Sequence, residues 1–313
     1  MNEDKEPLVP SPIEEIIADL GNIEKPLLSA GLADLSNLNP ADLGYFEQVW
    51  PTVELKRRQQ VVSRLVELVE DNFELDFDSI FKNCLIDPDA EVRSKAIEGL
   101  WENEEPSLIN TLVNMLEHDS SEQVQIAAAT ALGKFVMLAE HQKLRSSYTS
   151  KIYQALLAAI KDRSKPVEVK RRALETVAPL SSPEVEKAIG DAYQSGDNKL
   201  RISSIYAMGK NYNPSWLPIL LQELGNPDAE IRYEAAGACG ELGDEEAVPY
   251  LIELVSDPDI EVQLVAIQAL GQIGGTKAKN CLEQCLDDPS EVIQQAAERA
   301  LYELAEGEGP FSF

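Results

Sequence analysis

The side chains that most often do chemistry are few in this sequence of 313 residues, and their spacing works against catalysis. There are two histidines, His118 and His141, followed by Asp119 and Gln142. Cys281 and Cys285 lie four apart, on one face of a helix, and offer two thiolates to a metal ion. No histidine or third cysteine stands near enough to complete a closed four-ligand site, so the pair reads as packing. Asp76-Phe77-Asp78 sets two carboxylates close together, but general acid–base work needs such groups in a partly buried cleft with separated pKa values. An aspartate before Ser79-Ile80-Phe81 is more simply a helix cap. The glycines of Gly237-Ala238-Cys239-Gly240-Glu241-Leu242-Gly243 fall inside a helical pattern and follow no strand, which a dinucleotide loop requires. Gly274-Gly275-Thr276-Lys277 inverts the order of a phosphate loop. The sequence thus points to no enzyme, no metal and no cofactor.

Binding chemistry is better represented, and the elements that would carry it repeat. A stretch of the form Asp-Pro-Asp-x-Glu-Val-Arg-x-x-Ala returns along the chain, clearest at Asp87–Arg93, Asn226–Arg232 and Asp257–Gln263. Aligning the apolar anchors gives Val92, Val124, Val169, Leu200, Ile231, Val262 and Ile293, at intervals of 32, 45, 31, 31, 31 and 31 residues. A period of this size marks small units that cannot bury their own apolar faces and must stack. Each unit reads as two antiparallel helices. The second opens at the anchor, preceded by an acidic residue that suits the positive end of the helix dipole. Four positions after the anchors stand Ala96, Ala128, Ala173, Ser204, Ala235, Ala266 and Ala297, small enough for neighbouring helices to come close. Gly133, Gly209, Gly240 and Gly271, nine positions after, do the same or end the helix. The long interval between Val124 and Val169 holds about fourteen extra residues, roughly 139–150, where a hinge or helix extension is expected.

Charge narrows the partners. The net charge is −28, which repels nucleic acid and anionic membranes, so neither is an expected partner. Residues 221–313 alone carry a net of −16, whereas 143–172 hold nine basic residues against Asp162 and Glu168. In that basic segment Lys161, Arg163, Lys165, Lys170, Arg171 and Arg172 occupy a helix end, a turn and the next helix start. They either neutralise Glu168, Glu175 and their neighbours, or receive an acidic peptide, a phosphate-bearing partner, or the acidic C-terminal third of a second copy. The last would make head-to-tail contacts. The first residues show no basic region with an apolar run, and no stretch approaches a membrane span, so the sequence reads as cytoplasmic.

The ends differ from the middle. Residues 1–38 form an acidic, proline-containing tail with one short amphipathic helix, capped at Ser11 and carrying Ile13, Ile16, Ile17 and Leu20. That helix is too short to stand alone, so it docks on the array's first helices or on a partner. Residues 39–77 are expected to be N-terminal capping helices, 78–304 seven repeats, and 305–313 a loose tail with Phe311 and Phe313.

The turn Asp-Pro-Asp-x-Glu-Val-Arg followed by Ala and Leu-Gly resembles the HEAT repeat, and the period of about 31 resembles the short form found in phycobilisome lyase-like proteins. The resemblance covers residues 79–304 and implies an all-α, armadillo-like α-solenoid, a right-handed superhelix of antiparallel helix pairs. In this family the turn aspartate and the arginine after the anchor form a polar ladder along the stack. Arg93, Arg201 and Arg232 match, while Gln125, Lys170, Gln263 and Gln294 depart, so a broken ladder is expected. HEAT-fold deoxyhypusine hydroxylases hold iron with His-Glu pairs, which His118-Asp119 and His141-Gln142 do not reproduce.

The second helices of such a solenoid line its inner face. Helical geometry turns positions two, six and ten after each anchor away from the core. Those columns include Arg171, Tyr206, Lys210, Tyr233, Glu241, Leu264, Gln268 and Gln272, with Trp101 at the edge. Tyr, Trp and Arg are the residues interface hot spots favour. The sequence therefore points to a protein-binding scaffold that takes a protein or peptide partner on its concave surface. Its candidate contacts are Lys170, Arg171, Arg172, Tyr206, Lys210, Tyr233 and Trp101. The alternative is a lyase-like protein handling a chromophore or other prosthetic group with a partner subunit.

Overall fold

A computed structural model describes residues 12–307, and among them no strand occurs. The cap expected at Ser11 and the aromatics Phe311 and Phe313 lie outside the described residues. The chain is an all-α solenoid of stacked helix pairs and falls into two compact units, residues 1–135 and 136–313.

Unit 1 contains α1 (Pro12–Asp19), α2 (Ser29–Ala33), α3 (Pro40–Val49), α4 (Leu55–Asp71), α5 (Asp78–Cys84), α6 (Ala90–Gly99), α7 (Ser107–His118) and α8 (Glu122–Ala131). The division between units cuts α9 (Gly133–Glu140), inside the long interval where the period breaks. The extra stretch expected at roughly 139–150 takes in the end of α9, a link over 141–145 in which Gln142 has a positive φ of 58°, and the start of the next helix.

Unit 2 contains α10 (Ser146–Lys161), α11 (Val167–Val177), α12 (Pro183–Tyr193), α13 (Asn198–Lys210), α14 (Leu217–Glu223), α15 (Ala229–Leu242), α16 (Val248–Leu254), α17 (Ile260–Ile273), α18 (Gly275–Cys285) and α19 (Glu291–Gly307). Its second helices, α11, α13, α15, α17 and α19, pack in succession, and each first helix packs on its own second helix. None of the described helices is long and apolar enough to cross a membrane.

The repeated turn is built by its aspartates. The first Asp or Asn accepts the backbone N–H two residues on: Asp87 from Asp89, Asp119 from Ser121, Asn226 from Asp228, Asp257 from Asp259 and Asp288 from Ser290, all at 2.8–2.9 Å. The second Asp then caps the helix, Asp89 accepting from Val92 N at 3.1 Å and Asp259 from Glu261 N at 2.9 Å. Each such cap stabilises its helix by about 0.5–2 kcal/mol. The proline between them closes the turn without needing a hydrogen-bond partner for its nitrogen.

Behind the cap the core repeats as well. The anchors Val92, Val124, Val169, Ile231, Val262 and Ile293 are buried, with Leu200 half-buried, and every one of the seven small residues four positions later is fully buried. In unit 2 the glycines at position nine set the spacing of the stack. A Cβ on Gly209 would stand 2.7 Å from Ala238 Cα, one on Gly240 2.9 Å from Ala269 Cα, and one on Gly271 3.0 Å from Ala300 Cα. All three lie inside helices, so their work is close approach. Ending the helix falls instead to Gly243, at φ 71°, and to Gly274, at φ 75°.

The polar ladder is broken at each glutamine. Arg93 forks onto Asp119 at 2.8 and 2.9 Å, and Arg232 onto Asp257 at 2.7 and 2.8 Å, each also donating to two carbonyls of its own turn. Arg201 reaches Glu223 at 2.7 Å instead of a turn aspartate. Gln125, Gln263 and Gln294 keep the donation to their own turn carbonyl. A single amide group in each takes the place of the five-donor guanidinium that forks across to the next turn at Arg93 and Arg232.

Residues 12–38 are packed on the rest of unit 1. Ile17, Leu20, Leu32 and Leu35 are buried, and the half-buried α1 lies on α3. Arg57, itself 7% exposed, donates to Leu20 O at 3.1 Å and Lys25 O at 2.8 Å, which fixes the chain between α1 and α2. Asn39 caps α3 by accepting from Ala41 and Asp42 N–H.

Candidate functional site

The potential catalytic groups settle into structural work. Asp78 is not the cap expected from the sequence: it is the first residue of α5, and Phe77 holds the cap position without a side-chain cap. Asp76 accepts Asp78 N–H at 2.9 Å, and Asp78 accepts from Asn103. Gly237 and Gly240 sit inside α15, and Gly274–Gly275 form the turn into α18. Burial pushes the Cys239 thiol up to about 12 and Cys285 up to about 11, the latter also facing Cys281, so neither is a thiolate nucleophile near neutral pH. Among the described residues no three His, Cys, Asp or Glu side chains gather as a metal ion would need.

Three of the candidate binding residues come together. Tyr206 and Lys210 of α13 and Tyr233 of α15 line one groove with Gly237, Ala238 and Glu241 of α15 and Val265, Gln268 and Gln272 of α17. Its volume is about 270 Å3, and Gln268 is shared with a second hollow of about 330 Å3 between α17 and α19 that also takes in Leu264 and Arg299. Positions two, six and ten after the anchors therefore form one face, as helical geometry requires. Tyr206 and Tyr233 are 38% and 39% exposed, so part of each ring is open to solvent.

The groove's charges are unevenly satisfied. Lys210 donates to Glu241 at 2.6 Å and lies 5.8 Å from the centre of the Tyr206 ring. Burial works to lower its pKa, but Glu241 outweighs that and holds the ammonium charged. Tyr212 donates to the same carboxylate at 3.2 Å. Glu234, three positions after its anchor, also lines this groove. Among the described residues no hydrogen bond and no ion pair reaches its carboxylate. Burial first, then Glu175 and Glu230, push its pKa up to about 7, with Arg171 pulling weakly the other way. Sequence reading by columns passed over Glu234 because position three holds small or apolar residues in the neighbouring copies: Ser203, Val265 and Ala296. An acid in that company is the signal that would have found it.

The basic trio is arranged differently. Arg171 donates to Glu168 at 2.9 Å and Ser203 at 2.8 Å, and Arg172 to Glu175 at 2.6 Å. Lys199 adds a further pair to Glu168 at 2.7 Å. The charge of Arg171 and Arg172 is thus used within unit 2, which is the neutralising role open to them from the sequence; Lys170 sits half-buried beside them on α11. Trp101 belongs to unit 1, where it is 61% exposed just beyond the end of α6. Its carbonyl and that of Leu100 accept from Lys134 Nζ, whose pKa burial lowers to about 8.

A family model described as HEAT repeats matches residues 79–153 and 217–302, just over half of the chain. The chain belongs to the HEAT-repeat family. No curated protein matches this HEAT-repeat chain. Among solved structures it is similar to YibA of E. coli, at 18% identity over 76% of this chain and 96% of that one, with a TM-score of 0.47. It is similar to a Kap95:Nup1 complex at 13% identity over 95% of this chain and 46% of that one, with a TM-score of 0.54. It is also similar to the complex of CpcE and CpcF of phycocyanin lyase from Nostoc sp. PCC7120, at 16% identity over 98% and 97%, with a TM-score of 0.45. At these identities the likeness is one of fold.

Proposed function

We propose that this HEAT-repeat protein is a non-catalytic scaffold that holds a protein or peptide in the second-helix groove of unit 2. One observation carries the reading: Tyr206, Lys210 and Tyr233, from two successive repeats, share one groove in which both rings remain over a third exposed. Half-buried tyrosines offer large, rigid contact area at low entropic cost, which is what interface anchors supply. The pushed-up thiols support a scaffold over a nucleophilic enzyme.

The test is recovery of partners from native extract with wild type and with Tyr206→Ala/Tyr233→Ala, followed by reconstitution from purified components. A partner that rebuilds with wild type and weakens at least tenfold with the double variant supports the groove. A partner held equally by both moves the site elsewhere. Head-to-tail association through the basic segment is the weaker reading, because Arg171 and Arg172 already spend their charge on Glu168 and Glu175; sedimentation at low and high salt separates it from partner binding. Handling of a chromophore would instead show as a change in the absorbance of an added open-chain tetrapyrrole.

A further inference from the structure

We infer that the groove of unit 2 takes a basic side chain, an arginine or lysine of an extended peptide, with its cationic head at Glu234 and its stem against Tyr206 and Tyr233. The inference rests on the peptide-scaffold reading above and names the chemistry of the partner.

Charge complementarity favours a cation in this groove. Of the charged side chains that line the groove, Lys210 and Glu241 pair with each other, and behind it Arg172 pairs with Glu175 and Arg171 with Glu168. Glu234 alone among these has neither an ion-pair partner nor a hydrogen-bond donor within the described residues, and it lines the same groove as both tyrosine rings. Glu234 is half-buried, so its carboxylate gives up part of its hydration without gaining a partner, and a cation placed there would restore that lost stabilisation. Tyrosine faces beside it add cation–π attraction for the same head group and an apolar wall for its stem. An acidic or phosphate-bearing ligand would meet the opposite: Glu234, Glu175 and Glu230, with Lys210 already engaged.

The groups facing Glu234 are known from each side. From α11 come Glu175 and Arg171, from its own α15 Glu230, from α13 Tyr206 and Lys210, and from α17 the uncharged Val265, Gln268 and Gln272. With its carboxyl at about 7 in the free protein, Glu234 is mostly ionised at pH 8 and mostly neutral at pH 6. A cation selects the ionised form, so affinity should drop by about tenfold between pH 8 and pH 6.

The probe is a positional-scanning array of octapeptides in which one position is fixed as Arg, Lys, Leu, Gln or Glu. Because the chain carries a net charge of −28, cationic peptides will also be drawn non-specifically. The comparison is therefore wild type, Glu234→Gln, and Glu253→Gln, an exposed acid on α16 outside the groove. A preference for Arg or Lys of tenfold or more in wild type and Glu253→Gln, lost together with its pH dependence in Glu234→Gln, supports the inference. An Arg or Lys preference that survives in Glu234→Gln overturns it as bulk attraction. Selection of Leu, Gln or Glu overturns it while the scaffold reading stands, and no retention of any peptide removes both.

Discussion

Gly237 and Gly240 are three residues apart on one face of α15, and the structure gives them opposite fates on gaining a methyl group. A Cβ at Gly237 would meet Val265 Cγ2 at 3.5 Å, an ordinary contact. At Gly240 it would meet Ala269 Cα and Cβ at 2.9 Å, both on or next to backbone, and Gln272 Oε1 still closer. Replacing a helical glycine by alanine gains about 0.8–1 kcal/mol of propensity at either site. Overpacking costs about 1–3 kcal/mol, and only Gly240 incurs it. Gly237→Ala should therefore stabilise by up to about 1 kcal/mol and Gly240→Ala destabilise by about 1 kcal/mol, a separation of about 2 kcal/mol. For a unit of this size that is about 4–8 °C between the two melting temperatures. Circular dichroism follows the whole chain. Trp216, the one tryptophan of unit 2, reports its local unfolding, a useful separation because stacked repeats need not melt in one step. Equal shifts in the same direction for both variants would refute the backbone-contact register on which the stack has been described.

Other expectations follow from the charged and apolar contacts. Glu234 has a folded pKa raised to about 7, so it favours the folded state when protonated and opposes it increasingly as pH rises toward 7. Glu234→Gln should raise the melting temperature relative to wild type at pH 8, by up to about 3 kcal/mol of stability, and make no difference near pH 4; an advantage largest at low pH would reverse the assignment. Arg232→Gln should keep the donation to its own turn, as Gln263 does, but leave the buried Asp257 without its fork, costing about 3–5 kcal/mol in urea unfolding. Adding Asp257→Asn should recover part of that, and strictly additive losses would deny the pair any coupling. Removing residues 1–35 takes Ile17, Leu20, Leu32 and Leu35 from the core and both carbonyl acceptors from Arg57. Trp50 emission should then report unit 1 melting at distinctly lower denaturant, and an unchanged midpoint would mean these contacts are not made in solution.

The repeat was legible because its turn is local chemistry. An aspartate accepting the N–H two residues on, a proline, then a capping aspartate need only a few adjacent residues, and the buried small residue four positions after the anchor follows from one helical turn. The face bearing Tyr206, Lys210 and Tyr233 was legible for the same reason, since helical angle alone groups them. What depended on neighbours distant in sequence was not. Leu32 and Leu35 gave too short a pattern to reveal that they are buried, because the surface that covers them is partly that of α4. The pairing of Arg171 and Arg172 with Glu168 and Glu175 was open as one of two outcomes, and only packing decides between an internal ion pair and a free patch. Glu234 was missed because its character comes largely from its burial in the stack and from Glu175 on α11, and only in part from Glu230 on its own helix.

The three contacts of Gly209 with Ala238, Gly240 with Ala269 and Gly271 with Ala300 all sit toward the C-terminal ends of their helices, while Tyr233 and Glu234 sit toward the N-terminal end. Backbone against backbone leaves no side chain to compress, so that edge acts as a row of fulcrums. The helices can fan apart at the far end but cannot be squeezed together at this one. Unit 2 is therefore a spring with a hard stop on one side. Thermal fluctuations should widen and narrow the helix spacing beside Tyr233 while the glycine edge keeps its pitch.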